Sequence, residues 1–209
     1  TTTRRQRQMC IRDRASSIEQ INSKKYTKDI DLIILAIPPK QTLDVLNSLQ
    51  EVWNTDTTIT ETSSVKNHIK IEGVSNIVLS HPIAGSDQSG LLAADENLFK
   101  NKKNVLCNPF NSDKDHYDKV ENFWSNALQM KTALMTVSEH DLIFAMTSHL
   151  PHLISYALID SIRLSNNDVG DNAGGGIKEF LRLSGSNPEM WRDIFTVSYT
   201  HLRAHETTC

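Results

Sequence analysis

The sequence has few cysteines and no long apolar run. Only three cysteines occur in 209 residues, and two of them, Cys10 and Cys209, lie close to the termini. Cys107 alone remains in the centre, so we expect no disulfide framework and a reducing, cytoplasmic setting. The longest apolar run, Leu32 to Ile37, is too short to span a bilayer. No apolar stretch follows the basic N-terminus, which argues against a secretory signal, and we expect no membrane association.

The two ends of the chain differ in composition from its centre. Residues 1–14 contain five arginines, and residues 196–209 carry two histidines without apolar periodicity. Both segments resemble translated sequencing adapter, so we interpret them as artefact and exclude them from the fold; the alternative is a natural basic arm and tail. Residues 15–195 then hold 16 basic and 23 acidic residues, a net charge of −7 against −3 for the whole chain. This acidic balance argues against nucleic acid as a partner.

Strand and helix patterns alternate through the first part of the chain. Residues 31–37 form an apolar run that is typical of a strand buried on both faces of a parallel sheet. Further strands are predicted at residues 57–60, 76–80, 105–107 and 132–137, and helices at 39–53, 65–71 and 113–130. This alternation predicts an α/β fold with a parallel sheet.

The strand patterns stop after residue 138. Residues 140–164 predict a long helix that Pro151 should kink. Two shorter helical stretches follow a run of three glycines, Gly174 to Gly176, and end at Phe195. We therefore predict a partial dinucleotide-binding domain at 15–138 and a partial helical domain at 139–195. No G-x-G-x-x-G motif precedes Asp31, so the first strand and the Gly-rich turn of a Rossmann-type sheet are expected to be missing.

Two polar clusters directly follow predicted strands, where open α/β sheets bind ligands. The first is Glu61-Thr-Ser-Ser-Val-Lys66, in which Ser63 or Ser64 could equally be a plain helix cap. The second is the stretch 81–87, His-Pro-Ile-Ala-Gly-Ser-Asp. A histidine at this position can titrate near neutrality in a cleft, but a structural role is about as common.

Two further clusters lie in the helical part. His149 and His152 share one helix face. A metal site is disfavoured because no His-Glu-x-x-His pattern accompanies them, and a cleft-lining role is favoured. Only three arginines occur in residues 15–195: Arg163, Arg182 and Arg192. Each could bind a carboxylate through its planar guanidinium or form an ordinary surface ion pair.

Taken together, these motifs resemble the prephenate dehydrogenase family. The resemblance rests on His-Pro-Ile-Ala-Gly-Ser, Ser-His-Leu-Pro-His, Gly-Gly-Gly with an arginine six residues later, and Asn-Pro-Glu-Met-Trp-Arg-Asp, and it covers nearly all of residues 30–195. It implies a nicotinamide-dependent enzyme of tyrosine biosynthesis that oxidatively decarboxylates prephenate to 4-hydroxyphenylpyruvate. Other dehydrogenases with a Rossmann domain and a helical domain share the architecture without these motifs.

The resemblance also implies roles for individual residues. His81 is expected to be the base on the ring hydroxyl, and Ser64 to orient His81 and approach the nicotinamide. Arg182 is expected to bind a substrate carboxylate. The remaining expected substrate contacts are Ser148, His152, Gly175 and Trp191, and the remaining cofactor contacts are Ile37 and Pro38.

The sequence departs from the family pattern at three positions. Asp87 stands where the family usually has glutamate, and Glu61 and Ser63 replace the commoner aspartate and glycine of the serine motif. The expected cofactor is NAD, with NADP as the alternative, and no metal is expected. The expected partners are prephenate and, through the helical domain, a second copy of the chain. The alternatives are an arogenate or dual-specificity cyclohexadienyl dehydrogenase, or an inactive fragment of either enzyme. Because the Gly-rich turn is absent, we expect this chain itself to be inactive.

Overall fold

The computed structural model describes residues 30–49, 56–85, 94–165 and 174–204. An α/β part comes first and a helical part follows. In chain order the elements are β1 (Leu32–Leu35), α1 (Pro39–Leu49), β2 (Thr58–Glu61), β3 (Ile77–Pro82), β4 (Lys103–Cys107), α2 (Lys114–Asn122), β5 (Lys131–Leu134), α3 (Val137–Phe144), α4 (Leu150–Leu164), α5 (Gly175–Ser184) and α6 (Pro188–Ala204). The predictions for residues 1–14, Ser86 and Asp87 lie outside the described residues.

The five described strands form one sheet in the order β1-β2-β3-β4-β5. The strands β1, β2 and β3 pair in parallel, and β4 pairs in parallel with β5. The pairing of β3 with β4 is antiparallel, with His81 opposite Val105. The predicted α/β class is confirmed, whereas the expectation of a wholly parallel sheet is wrong at this one pairing.

Apolar side chains from the strands form a core on each face of the sheet. One cluster joins alternate β3 residues, Ile77 and Leu79, to Leu46 and Leu49 of α1. The other joins Val78 to Trp124, in the π-helical turn Phe123–Ala127 that continues α2. The alternation along β3 buries both of its faces, as expected for an inner strand, and it aims His81 at the same face as Leu79.

The helical part begins with a capping box. The Thr136 hydroxyl accepts from the Glu139 amide, and the Glu139 carboxylate accepts in return from the Thr136 amide. This reciprocal cap starts α3 at Val137 and stops β5 at Leu134, so the strand predicted at 132–137 is shorter than expected.

A π-helical segment, Ala145–His149, joins α3 to α4 immediately before Pro151. The Leu150 amide bonds to the Ala145 carbonyl across this wider turn. The irregularity predicted at Pro151 therefore takes this form, since proline provides no amide hydrogen and crowds the preceding turn.

Two further predicted boundaries differ from the structure. Residues 65–71 make one turn, closed by the Ile69 amide on the Lys66 carbonyl at 3.0 Å, and do not form the predicted helix. The last helix, α6, does not end at Phe195 but continues to Ala204. Ser198 in this extension is buried and lies 3.0 Å from Nδ1 of His149. These extra residues therefore pack against the fold, although the sequence analysis excluded them.

The helix Val137–Leu164 is long and apolar enough to cross a membrane, judged by length and composition alone. Its most apolar window has a mean hydropathy of 1.4, and 17% of that window is buried. This is weak evidence for a membrane span, because the same helix carries His140, Asp141 and His149 fully buried against the rest of the fold.

Candidate active site

His81 lies at the carboxyl end of β3, beneath the start of the helical part. The side chain is 9% exposed, and its Nδ1 lies 2.7 Å from Nε2 of His140 on α3. The ring of Phe144 packs against both imidazoles, with centroid distances of 4.6 Å to each. The two histidines are 59 residues apart in sequence, so only the docking of α3 on the sheet brings them together.

Asp141 extends this contact into a hydrogen-bonded row. Its Oδ1 lies 2.7 Å from Nδ1 of His140, and the side chains of both residues are fully buried. The same carboxylate accepts the backbone amides of Lys66 at 2.9 Å and Asn67 at 2.8 Å. Asp141 therefore ties α3 to the loop after β2 and ends a row that runs from His81 through His140.

The pKa values along this row favour uncharged imidazoles beside a charged carboxylate. Burial lowers the pKa of His81 well below 6.5, and Lys66, His140 and His149 lower it further. Burial also lowers the pKa of His140, although its hydrogen bond to Asp141 acts in the opposite direction. Burial raises the pKa of Asp141, but the hydrogen bonds from His140 and from two backbone amides outweigh it and leave that pKa low.

A fully buried ion pair supports the loop beside His81. The Lys66 ammonium contacts the Glu61 carboxylate, and it also donates to the carbonyls of Ser63 at 2.7 Å and Ser80 at 2.5 Å. The other carboxylate oxygen of Glu61 accepts hydrogen bonds from the Ser63 amide at 2.8 Å and from the Ser63 hydroxyl at 2.5 Å. Glu61 and Ser63 are the two residues that depart from the serine motif of the family. They complete one network that joins β2 to Ser80, the residue before His81.

The expected cofactor contacts lie at the carboxyl ends of β1 and β2. Ile37 and Ser64 are half-buried, and Pro38 is exposed. Ser64 does not hydrogen-bond His81 in the described structure, where His140 is the partner of His81. These strand ends could hold the nicotinamide half of a dinucleotide. The sequence contains no Gly-rich turn for the pyrophosphate.

A second wall, formed by aromatic side chains, is built on α4 and α6. The ring of His152 stacks on Trp191, with centroids 3.6 Å apart, and its Nδ1 donates to the Ser148 carbonyl at 2.8 Å. The indole nitrogen of Trp191 is buried and has no hydrogen-bond partner among the described residues. His149, which lowers the pKa of His81, lies against Trp191 at a centroid distance of 6.1 Å and links this wall to the imidazole row.

Arg182 lies on α5, on an exposed part of this second wall. Its Nε bonds to Glu179 on the same helix at 2.9 Å, and the Arg182 side chain is 66% exposed. The guanidinium is close enough to lower the pKa of His152. Gly175 is exposed at the start of α5. Of the two roles that the sequence left open for Arg182, a carboxylate contact or a surface ion pair, the structure contains the ion pair.

Sequence reasoning missed the residues that support His81. His140, Asp141 and the buried charge of Lys66 were not singled out, although an adjacent His-Asp pair in the first turn of a capped helix was visible in the sequence. No group of three His, Cys, Asp or Glu side chains in the described residues is arranged to hold a metal. A groove of about 430 Å³ lies between Tyr156 and α6, and it includes Trp191 but none of the imidazole row.

Comparisons with known proteins agree with this two-part arrangement. The family model described as the nucleotide-binding domain of prephenate dehydrogenase matches residues 3–131, and that of its dimerization domain matches residues 136–208. The two matches are separated by residues 132–135. Both matches also extend into the terminal segments that the sequence analysis set aside.

Individual relatives include a cyclohexadienyl dehydrogenase and a prephenate dehydrogenase. A cyclohexadienyl dehydrogenase of Zymomonas mobilis is 26% identical over 88% of this chain and 67% of its own length. The prephenate dehydrogenase of Bacillus subtilis is 30% identical over 80% of this chain and 47% of its own length.

Among solved structures, prephenate dehydrogenase of Aquifex aeolicus in complex with hydroxyphenyl propionate and NAD+ has a TM-score of 0.79 at 28% identity. That match covers 91% of this chain and 67% of the other. Arogenate dehydrogenase of Synechocystis has a TM-score of 0.69 at 25% identity and covers 91% and 69%. The chain spans about two thirds of the Zymomonas enzyme and about half of the Bacillus enzyme. On the two domain matches, which together cover most of its length, the chain belongs to the prephenate dehydrogenase family.

Proposed function

We propose that the protein oxidatively decarboxylates prephenate to 4-hydroxyphenylpyruvate with transfer of a hydride to a nicotinamide dinucleotide. The observation that carries the proposal is the neutral, buried imidazole of His81 at a strand end. It lies at the end of β3, next to β2 in the sheet, in a chain of this family. A histidine kept uncharged in a cleft can accept a proton at neutral pH.

The reaction needs a base on one side of the substrate ring. Prephenate carries a hydroxyl opposite a quaternary carbon that bears a carboxylate. His81 takes the hydroxyl proton, hydride leaves the carbon that bears this hydroxyl, and the ring carboxylate departs as carbon dioxide. The electrons of the broken carbon–carbon bond make the ring aromatic, and the resulting phenolate oxygen takes the proton back from His81. The cofactor, when bound, supplies the hydride acceptor. Aromatisation drives the reaction forward, so the residues mainly position and orient the substrate.

We assign the substrate contacts to the aromatic wall on α4 and α6. The stacked pair of His152 and Trp191 offers an aromatic surface, and the partnerless indole N–H can donate to a bound anion. Ser148 lies one helical turn before His152. Arg182 can leave Glu179 for a substrate carboxylate because an exposed ion pair is worth little. Gly175, at the start of α5, adds backbone close to this wall.

We assign NAD as the cofactor, with NADP as the alternative. Ile37, Pro38 and Ser64 are the contacts proposed for its nicotinamide end, on the observation that they lie half-buried or exposed at the ends of β1 and β2. Ser64 would act on the cofactor side, since the Nδ1 position of His81 is taken by His140.

We propose that a second copy covers the exposed apolar face of α3 and α4. Leu142, Met146 and Ile154 are between 45% and 52% exposed on this face, which is unusual for an isolated protein. We expect a dimer by light scattering, a monomer for Ile154→Glu, and an unchanged dimer for the control Lys119→Glu on α2. A monomer before mutation would contradict the proposal. We further propose a cytoplasmic enzyme, because Cys107 is a free, buried thiol in the described part of the chain.

The substrate half of the site is tested first, by binding. Hydroxyphenyl propionate, the ligand of the Aquifex complex, should quench tryptophan fluorescence when titrated into the chain. Trp191→Phe should lose the signal. No saturable change would contradict the assignment of this wall to substrate.

Turnover is tested in a chimera in which the N-terminal segment of the Bacillus relative precedes Asp31. Reduced cofactor is followed with prephenate or arogenate, each with NAD or NADP. We expect the highest kcat/KM with prephenate and NAD. Preference for arogenate, or equal use of both, would identify the arogenate or dual-specificity activity that the Synechocystis and Zymomonas relatives carry in their names. No turnover with any combination would contradict the proposed function.

A further inference from the structure

We propose that Asp141 and His140 are positioning residues that fix the ring tautomer of His81, so that its Nε2 carries the lone pair that accepts the substrate proton. This inference deepens the proposed function and takes from it only that His81 is the base. It follows from counting the hydrogens that the row of three side chains can hold.

Asp141 is the one member of the row whose hydrogen-bonding role is fixed. Its two oxygens accept the backbone amides of Lys66 and Asn67, at 2.9 and 2.8 Å, and an amide nitrogen can only donate. These donors leave the carboxylate as an acceptor towards its third partner as well. The hydrogen of the 2.7 Å contact therefore sits on Nδ1 of His140.

The ring of His140, the next member of the row, is uncharged. Burial and the Lys66 ammonium both lower its pKa, so with Nδ1 protonated the neutral ring has a lone pair on Nε2. That atom lies 2.7 Å from Nδ1 of His81, and a contact this short needs one hydrogen. The hydrogen belongs to His81 Nδ1, which leaves the lone pair of His81 on Nε2.

The surroundings of His81 oppose a positive charge on its ring, which makes such a device useful. Lys66, on the loop after β2, and His149, on the π-helical segment, both oppose a positive charge on His81. When Nε2 takes a proton, Nδ1–H stays in its bond to His140, and the new charge lies in line with the Asp141 carboxylate. No second proton has to move. The row orients the ring before reaction and stabilises the imidazolium after it.

The test is the ring tautomer of His81, read by nitrogen NMR on the whole chain labelled with 15N-histidine. No substrate or cofactor is needed, so a failure here is distinct from a failure of turnover. At pH 7.5 we expect a pyridine-like Nε2 signal and a pyrrole-like Nδ1 signal for His81. His81 protonated mainly on Nε2 in the unmutated chain would overturn the proposal.

Three variants separate hydrogen bonding from packing. His140→Leu removes the acceptor, and His81 should revert to the Nε2–H form that free histidine prefers. His140→Gln places an amide oxygen near the former Nε2 position and should restore the Nδ1–H form. Phe144→Leu loosens the packing on both rings without touching a hydrogen bond, and should leave the tautomer unchanged. An unchanged tautomer in a folded His140→Leu would also overturn the proposal.

Discussion

Replacing Lys66 by methionine should destabilise the fold by about 3–5 kcal/mol, the usual result of removing one partner from a buried ion pair. Methionine has nearly the shape of the lysine stem, so the change removes a charge and leaves little cavity. Both Lys66 and Glu61 are fully buried, and solvent cannot take over the role of the lost ammonium.

The network around Lys66 sets this magnitude. Without the ammonium, the Glu61 carboxylate keeps only the Ser63 amide and hydroxyl as donors. The carbonyls of Ser63 and Ser80 lose a donor at the same time. Each buried acceptor that loses its donor costs about 1–3 kcal/mol. Because two carbonyls lose a donor together with the Glu61 carboxylate, we expect a destabilisation in the upper part of the range given for Lys66→Met.

Urea unfolding followed by circular dichroism and fluorescence measures the effect. The double variant Glu61→Gln/Lys66→Met removes both charges and should recover at least about 2 kcal/mol of the loss, because a neutral pair leaves no buried charge unpaired. The control Lys114→Met removes an exposed pair with Asp118 and should leave the urea midpoint unchanged. A Lys66→Met variant within about 1 kcal/mol of the original chain would refute the reasoning.

Three further outcomes are expected. In the chimera, His81→Asn should lower kcat about 10²–10⁴-fold with little change in the KM for prephenate, and near-normal kcat would show that His81 is not the base. Arg182→Gln should raise the KM for prephenate about tenfold to a hundredfold. Its Tm should not move because the ion pair with Glu179 is exposed, and a lower Tm with an unchanged KM would assign Arg182 a structural role. The lowered pKa values of His81 and His140 predict a loss of stability in acid. Near pH 6.5 these two histidines bind protons in the unfolded chain but not in the folded chain. The free energy of unfolding is therefore fully maintained above about pH 6.5. It decreases as the pH is lowered beyond that value, by up to about 1.4 kcal/mol per pH unit for each histidine. Equal urea midpoints at pH 7.5 and 5.5 would contradict this.

Local sequence patterns determined most of the elements of this protein. The apolar, β-branched run at residues 31–37 gives β1, although the predicted burial on both faces is wrong: only Leu35 is buried, and Ile34 is 38% exposed. The sequence Thr136-Val-Ser-Glu139 contains the full capping signal that starts the helical part at Val137. His81 was identified because a strand followed by His-Pro exposes its last residues at the sheet edge, and this also depends only on near neighbours.

Tertiary structure decided the direction of β4, the local conformation after β2 and the surroundings of His81. Strand direction is absent from a local pattern, since parallel and antiparallel strands bury the same side chains. Residues 65–71 read as a helix, but in the structure the turn closed by Ile69 on Lys66 is not continued. The amides of Lys66 and Asn67 bond instead to Asp141, which lies 75 and 74 residues away in sequence. Sequence alone identified His81, but its partner His140 and the carboxylate behind it come from a helix whose position depends on the packing of the whole sheet. A side chain's protonation and hydrogen bonds depend on neighbours in space, and those neighbours exist only after the chain has folded.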